Sequence, residues 1–146
     1  MEIGFYHLTR GTLEQALSKL LARVLAIPAR AMVLSGSPER LEALDTALWS
    51  AAEWLPHGTP ATGDAALQPI WLTTEDAAPP NDSGHLFLVE GAESAHLACF
   101  QRGFDLFDGT DGDALQAARA RWRRAREAGH ALTYWQQNEK GWERKA

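Results

Sequence analysis

The stretch Ala31-Met32-Val33-Leu34-Ser35-Gly36-Ser37-Pro38 decides the fold class of this chain. Its four successive apolar residues, 31–34, suit a strand that is buried on both faces, as strands of parallel sheets are. Ser37 can cap a helix N-terminus and Pro38 fits a first helical turn, so a helix is expected directly after the strand. The apolar face of that helix consists of Leu41, Leu44 and Leu48.

The same strand-then-helix unit recurs on both sides of this stretch. Upstream, Ile3–Leu8 predicts a strand, and Thr12 with Gln15 three residues later forms a capping box for a second helix. Downstream, Trp54–Gln68 is rich in glycine, proline and small residues and predicts a long surface loop. The remaining predicted elements are strands at 69–72, 86–89 and 104–107, a short helix at 93–101, and a long terminal helix that Asp111 or Asp113 caps.

This alternation predicts an α/β fold in a single domain. Right-handed crossovers would place helices on both faces of a mostly parallel sheet of about five strands. We expect residues 1–146 to form one three-layer, Rossmann-like domain with a polar C-terminal tail from about residue 136. The turn Leu34-Ser35-Gly36-Ser37 lacks the glycine-rich lysine loop and the G-x-S-x-G pattern, so no nucleotide-binding loop is expected.

Composition restricts the class of partner. The 146 residues carry a formal net charge of −5, which argues against general coating of nucleic acid or of an anionic membrane. The lone cysteine, Cys99, cannot form an internal disulfide, and neither a signal sequence nor a membrane-spanning run is visible. These features predict a cytoplasmic protein, in which any anion binding is local.

Arginines crowd the predicted terminal helix. Helical spacing places on its inward face Leu115, Ala118, Trp122 and Ala125. One flank carries Arg119, Arg123 and Arg126, and the other carries Arg121 and Arg124. One interpretation is a solvated basic face that offsets the helix dipole. The other is a binding site, because guanidinium groups around an indole edge suit an acidic peptide with a hydrophobic end.

The chain has six tryptophans, more than a core of this size usually needs. Core packing is the prediction for Trp49 and Trp71, whereas Trp54, Trp135 and Trp142 are as consistent with a partner interface as with docking of the tail. His57 lies in the long loop, where no nucleophile or orienting carboxylate is fixed beside it by spacing. The sequence therefore contains no recognisable catalytic constellation.

Neither the histidines nor the aspartates have the spacing of a metal site. The five histidines form no His-x-x-x-His pair, and no cysteine cluster could complete a zinc site. Turn and helix-capping chemistry is the simpler explanation of the aspartate cluster, which lacks the glycine and the distal glutamate of a calcium loop. Its members are Asp105, Asp108, Asp111 and Asp113. We expect no metal and no cofactor.

Several short blocks, taken in order, resemble the chi subunit of bacterial DNA polymerase III holoenzyme. They are Phe5-Tyr6-His7-Leu8, Leu44-Asp45 through Leu48-Trp49, Leu55-Pro56-His57-Gly58, Gln68-Pro69-Ile70, Phe104-Asp105 through Phe107-Asp108, and Gly129-His130 through Tyr134-Trp135-Gln136-Gln137. Each block is only a few residues long, but their joint order and spacing cover nearly the whole chain.

The resemblance implies a non-catalytic accessory subunit of the clamp-loader assembly. In that family, chi grips the acidic C-terminal tail of single-stranded DNA-binding protein, so its contact with DNA is indirect. The family's motif, an arginine followed three and four residues later by an aromatic and a basic residue, maps onto Arg119, Trp122 and Arg123, and Arg126 continues the same face. Trp122 stands where tyrosine is familiar and Arg123 where lysine is.

The resemblance also implies a second surface, toward the clamp loader. In some bacteria a small psi subunit tethers chi to that assembly, and psi is a candidate partner here. The residues that we expect at this surface are Trp49, Trp54 and His57.

Two other functions remain open from the residues alone. An α/β enzyme acting on a nucleotide or phosphorylated metabolite could use the basic helix as a phosphate site and His57 as a base. A direct binder of single-stranded DNA could use the arginines and the tail tryptophans for backbone neutralisation and stacking. The first predicts a nucleotide-induced rise in melting temperature, and the second predicts affinity for oligonucleotides.

Overall fold

The computed structural model describes residues 1–146 and contains seven strands and three α-helices. In chain order these are β1 (Glu2–Leu8), α1 (Leu13–Leu25), β2 (Ala31–Ser35), α2 (Pro38–Trp49), β3 (Ile70–Thr73), β4 (His85–Val89), β5 (Arg102–Asp108), α3 (Gly112–Glu127), β6 (Ala131–Asn138) and β7 (Gly141–Arg144). Two short 3₁₀ turns occur at Ala65–Leu67 and Leu97–Cys99.

The strands form a single sheet in the order β3-β2-β4-β5-β1-β6-β7. Strands β1 to β6 are all parallel, and only β7 is antiparallel to its neighbour. The predicted α/β class with a mostly parallel sheet is therefore confirmed. The sheet has seven strands rather than about five, because the chain adds two strands after α3.

The helices lie on opposite faces of the sheet because their strand-to-strand connections run in opposite directions from the central strands β1 and β5. The connection from β1 through α1 to β2 runs toward one edge, and that from β5 through α3 to β6 runs toward the other. Right-handed crossovers in opposite directions put their helices on opposite faces. Helices α1 and α2 cover one face and α3 the other, which completes three layers.

Each face of the sheet buries its own core. The larger cluster joins α1 and α2 to the sheet and includes Leu17, Leu44, Phe87 and Leu106. Beneath α3 lies a second cluster of Ile3, Phe5, Phe107 and Ala118. A third cluster, which includes Met32, Trp71 and Phe100, lies on the same face as α3, below the segment before β5. Trp71 is buried, as predicted.

The predicted helix caps are present. Thr12 Oγ1 accepts a hydrogen bond from the Gln15 amide at 3.1 Å, and Gln15 Oε1 accepts one from the Thr12 amide at 3.0 Å. Ser37 Oγ accepts from the Arg40 amide at 3.2 Å. These local bonds satisfy amides that a helix N-terminus leaves unpaired, which is why they could be predicted from short patterns.

The predicted helix at 93–101 is wrong, since only the turn Leu97–Cys99 is helical there. Asp76 holds the start of this segment, accepting hydrogen bonds from Ser94 Oγ at 2.6 Å and from the Ala95 amide at 2.7 Å. Residues 94–95 are therefore bonded to the loop between β3 and β4 and do not start a helix.

The polar segment that the sequence places from about residue 136 completes β6 and forms β7, so it is part of the sheet. The rings of Trp135 and Trp142 pack on Tyr6, with centroids at 6.3 and 5.0 Å, and join the larger core cluster. On the other face of β6, Leu132 and Tyr134 pack against the cluster beneath α3, so apolar contacts on both faces anchor this end of the sheet.

The two edges of the sheet are finished differently. At one edge β3 is short, and the preceding loop covers it: the Gly58 amide donates to the Ile70 carbonyl at 3.0 Å and the Leu72 amide donates to the Gly58 carbonyl at 2.9 Å. At the other edge, β7 and its continuation carry the charged residues 143–145.

Candidate partner-binding site on the terminal helix

Helix α3 begins at an aspartate cap and packs through one apolar stripe. Asp111 Oδ1 accepts from the Asp113 amide at 3.0 Å and from the Ala114 amide at 3.4 Å, which selects Asp111 as the cap. Ala118 is buried against β1 and β5. The predicted inward stripe is confirmed, since Ala118 is accompanied in that cluster by the half-buried Leu115, Trp122 and Ala125.

Arg121 is buried, which the sequence prediction of a solvated flank missed. Its side chain forms a bidentate ion pair with Asp105 on β5, with Nε–Oδ2 at 2.7 Å and Nη2–Oδ1 at 2.9 Å. Arg121 is 7% exposed and Asp105 is 2% exposed. The prediction that Asp105 serves a turn or a helix cap is therefore wrong. It applies instead to Asp111 and to Asp108, whose Oδ1 accepts from the Thr110 amide at 2.9 Å.

Burial and pairing act in opposite directions on this ion pair. Burial lowers the pKa of Arg121, but the hydrogen bonds and charge of Asp105 outweigh it, so the pKa is raised and the guanidinium stays protonated. Burial raises the pKa of Asp105, although Arg121 opposes the rise. On the same flank, Arg124 pairs with Glu93 in an exposed ion pair. This flank of α3, Arg121 and Arg124, is hereafter the paired flank.

The opposite flank of α3 carries arginines without carboxylate partners. None of the ion pairs and none of the side-chain hydrogen bonds of the structure involves them, and all are exposed. These residues, Arg119, Arg123 and Arg126, are hereafter the open flank. The structure thus places three of the four predicted site residues as an accessible row of guanidinium groups, on the side of α3 that faces β6.

The fourth predicted residue, Trp122, lies in an aromatic group between α3, β1 and β6. Its half-buried ring packs edge-on against Phe5 at 5.2 Å and against Tyr134 at 5.7 Å between centroids. Tyr134 Oη and His7 Nδ1 are 2.7 Å apart. The sequence reasoning assigned no role to His7 or Tyr134. The available signal was the alternation Leu132, Tyr134, Gln136, which puts Tyr134 on the α3 face of a strand.

The open flank affects these two ring groups electrostatically. Burial and then the positive charge of Arg119 lower the pKa of His7, so the imidazole favours its neutral form and can accept the Tyr134 hydroxyl proton in a hydrogen bond. Burial raises the pKa of Tyr134, and Arg119 partly opposes this. In both cases Arg119 acts through its charge, and no ion pair or hydrogen bond joins it to either ring.

The structure also brings together Trp49, Trp54 and His57. The ring centroids of Trp49 and His57 are 4.2 Å apart and those of the two tryptophans 6.5 Å. Trp49 is 56% exposed and Trp54 is 78% exposed, so core packing is wrong for Trp49. The reason is its place as the last residue of α2, beyond the buried Leu44 and Leu48.

His57 is buried beneath this tryptophan pair and has both ring nitrogens engaged. Its Nδ1 lies 2.7 Å from the Leu55 carbonyl oxygen and its Nε2 lies 2.8 Å from Asp45 Oδ1. A carboxylate therefore stands beside the ring, which loop spacing did not predict. These contacts fix the loop against α2 beneath the tryptophans.

The family model for the DNA polymerase III chi subunit, HolC, matches residues 1–133. The chain belongs to the DNA polymerase III chi subunit family. It therefore has an accessory role in DNA replication, within the DNA polymerase III complex. Comparison with curated proteins gave no match. The chi match ends inside β6, so Tyr134 and the whole of β7 lie beyond it.

This chi-family chain keeps a cleft where many α/β proteins bind ligands, at the carboxyl ends of β1 and β5. The cleft measures about 670 Å³. The amides at the adjoining helix N-termini are engaged by Thr12, Gln15 and Asp111, which are side chains of the chain itself. Arg40, in the same cleft, is paired with Glu14 and Glu90. Several of the groups that could bind a phosphate in this cleft are thus paired within the chain.

Two further properties of this chi-family chain concern metals and membranes. No group of three or more histidine, cysteine, aspartate or glutamate side chains is arranged to hold a metal ion. None of its helices combines the length and the apolar character needed to cross a bilayer.

Proposed function

We propose that this chi-family chain binds the acidic C-terminal tail of single-stranded DNA-binding protein on the open flank of α3, and thereby links that protein to the DNA polymerase III clamp loader. The observation that carries the proposal is the row of exposed guanidinium groups that form no ion pair, beside the half-buried ring of Trp122. Arginine is suited to this task because its planar fork can bind a carboxylate through two hydrogen bonds.

Charge gives the site its selectivity. The whole protein carries a formal charge of −5, so an anionic partner is repelled from most of its surface and attracted only where cations cluster. Because α3 is near neutral on its paired flank, where Asp105 and Glu93 balance the arginines, the excess positive charge lies on the open flank. This distribution favours a short acidic segment over an extended polyanion such as single-stranded DNA.

An apolar contact completes the recognition. The exposed part of the Trp122 ring, supported by Phe5 and Tyr134, offers a hydrophobic surface between the arginines and β6. A tail that ends in a phenylalanine could place its ring there while its acidic residues contact Arg119, Arg123 and Arg126. Each partly desolvated arginine contact would contribute roughly 1–3 kcal/mol, and the affinity would fall with ionic strength. A multimeric partner with several tails would raise the effective concentration.

The second part of the proposal places the clamp-loader side at the surface formed by Trp49, Trp54 and His57, with a psi subunit as the candidate contact. Exposed aromatic pairs are typical anchors of protein interfaces. Since α2 and α3 lie on opposite faces of the sheet, partners at the two surfaces would not compete for space. This arrangement suits an adaptor, which must hold both partners together.

The test of the first part is a titration of a labelled acidic, phenylalanine-terminated peptide into the full chain at low and moderate salt. We expect saturable binding that weakens with salt and is lost in Arg119→Ala/Arg123→Ala. The matched control is Arg124→Ala, which removes an arginine of the same helix from the paired flank. A peptide without its terminal phenylalanine separates the apolar contact from the ionic one.

The other outcomes of this test identify the alternative functions. Failure of the wild-type chain to bind the peptide at low salt would refute the proposal. Binding of an oligonucleotide with comparable affinity would favour direct recognition of single-stranded DNA. A rise in melting temperature with nucleotides would favour a nucleotide-binding role for the cleft.

A further inference from the structure

We propose that the C-terminal hairpin, β6 and β7 with the residues that follow, supplies a second wall of the tail site through Tyr134 and Lys145. This inference rests on the proposed function and extends it to residues beyond the chi-family match, which ends at residue 133. The acidic peptide would then lie over β6, between the open flank of α3 and β7, and contact basic residues on both sides.

Tyr134 forms the inner part of this wall. Its ring packs edge-on against Trp122 at 5.7 Å and lies near Phe107 at 6.1 Å, and its hydroxyl is bonded to His7. These contacts fix the tyrosine ring on the α3 face of the sheet, against Trp122. A ring held in this way bounds the apolar surface beside Trp122, and so it would limit the size of the side chain that can pack there.

Lys145 lies next to Tyr134 on the neighbouring chain segment. The Lys145 amide donates to the Tyr134 carbonyl at 2.7 Å, and the Tyr134 amide donates to the Ala146 carbonyl at 3.3 Å. The register pairs Trp135 with Arg144, so the next pair outward is Tyr134 with Lys145. Because side chains alternate along strands, Lys145 shares the α3 face with Tyr134, whereas Arg144 shares the opposite face with Trp135.

The charge of Lys145 is available for a ligand. Its ammonium group pairs only with Glu143, at 3.3 Å, and both side chains are about half exposed. An exposed pair of this kind contributes little, so a peptide carboxylate can replace Glu143 at small cost. Lys145 thereby adds a positive charge at the edge of the sheet, on the far side of β6 from the open flank.

The experiment is a peptide titration of the full chain by fluorescence anisotropy at low salt, comparing Lys145→Glu with Lys140→Glu. Lys140 is exposed at the hairpin turn and forms no ion pair, so the control makes the same charge reversal at the far end of the hairpin. We expect Lys145→Glu to weaken the affinity about fivefold or more and Lys140→Glu to change it less than about twofold.

A gain of affinity provides an independent check. Glu143→Gln removes the carboxylate that competes for Lys145, so it should tighten peptide binding about twofold. Substituting Tyr134 by phenylalanine keeps the ring and removes its bond to His7. This variant should change discrimination between peptides that end in phenylalanine and in leucine, while its thermal unfolding reports whether the fold is intact.

The outcomes separate this inference from the function on which it rests. If the wild type binds, Arg119→Ala/Arg123→Ala does not, and Lys145→Glu binds as tightly as Lys140→Glu, the hairpin wall is refuted and the site on α3 stands. If the wild type does not bind the peptide, both are refuted.

Discussion

Both flanks of α3 carry arginines, but the arginines of the paired flank form ion pairs and those of the open flank do not. On the paired flank, Arg121 is buried in a bidentate bond to Asp105, and Arg124 pairs with Glu93. On the open flank, Arg119, Arg123 and Arg126 are exposed and form no ion pair. The difference shows that the role of an arginine in this helix is set by the carboxylates that other elements bring to it. One flank attaches the helix to the sheet, and the other remains available for a partner.

The variant with the largest expected effect on this contrast removes the buried guanidinium of Arg121. Arg121→Met leaves the Asp105 carboxylate buried without a counter-charge, so we expect the free energy of unfolding to fall by about 3–5 kcal/mol. Urea denaturation followed by tryptophan fluorescence measures the change. The double variant Asp105→Leu/Arg121→Met should recover most of the loss, because it removes both charges. A single variant within about 1 kcal/mol of the wild type would contradict the structural role of Arg121.

A second test disturbs the aromatic group beside the open flank by a substitution at Gly109, which lies against His7. A Cβ at this position would lie 1.8 Å from His7 Cδ2, so Gly109→Ala forces the imidazole that bonds Tyr134 to move. We expect a loss of about 1–3 kcal/mol in stability, together with weaker peptide binding. The control is Gly112→Ala in the first turn of α3, where a Cβ meets nothing within 4 Å and alanine favours the helix. Equal stability of the two variants would argue against the close approach of Gly109 to His7.

The most direct comparison of the flanks uses two arginines from the last turn of α3. Arg124→Ala loses an exposed ion pair and should cost about 0.2–1 kcal/mol of stability without changing peptide affinity. Arg126→Ala should stay within about 0.5 kcal/mol of the wild type in stability and weaken the peptide several-fold. Both variants remove a charge that offsets the helix dipole, so that effect largely cancels between them. Thermal unfolding and anisotropy titration on the same samples measure both quantities. A larger loss of affinity in Arg124→Ala than in Arg126→Ala would contradict the assignment of the two flanks.

The smallest effect is a pH dependence that comes from His7. Burial and the charge of Arg119 lower the pKa of His7 below its ordinary value of 6.5 in the folded chain. The unfolded chain therefore binds this proton first, so the contribution of His7 to stability is complete above about pH 6.5 and is lost as the pH falls toward the folded pKa. His7→Gln should flatten the stability profile in that range relative to the wild type. His85, whose pKa is also lowered, remains in both chains and leaves a residual slope.

Much of the fold could be predicted because several of its strands and helix ends depend on residues close together in the sequence. The apolar run at 31–34, the capping box of Thr12 and Gln15, and the cap at Ser37 each act over four residues or fewer, and all are present. The hairpin after α3 was missed because none of its residues is fully buried and most of those after Trp135 are polar, so it has no continuous apolar run. Trp135 and Trp142 were noticed in the sequence, but no strand could be assigned from two isolated tryptophans.

The candidate site divides in the same way. Helical spacing alone grouped Arg119, Arg123 and Arg126 on one flank, and the structure keeps them there. The burial of Arg121 could not be read from the helix, because its partner Asp105 lies 16 residues earlier, on a strand whose register the sequence does not give. Tyr134 and His7 are separated by 127 residues and meet only because β6 returns to pair with β1. Whether the open flank binds the tail stays a prediction.

One edge of the sheet is covered by a loop and the other is charged, and this difference affects self-association. An exposed edge strand presents unpaired amides and carbonyls on which another copy could add a strand. The loop at Gly58 bonds to the outer side of β3, and charged residues at 143–145 occupy the hairpin that forms the other edge. Any crowding of copies around one assembly would therefore bring together edges that are covered or charged. We expect the chain to resist strand-to-strand aggregation at local concentrations at which a flat, apolar edge would begin to form fibres.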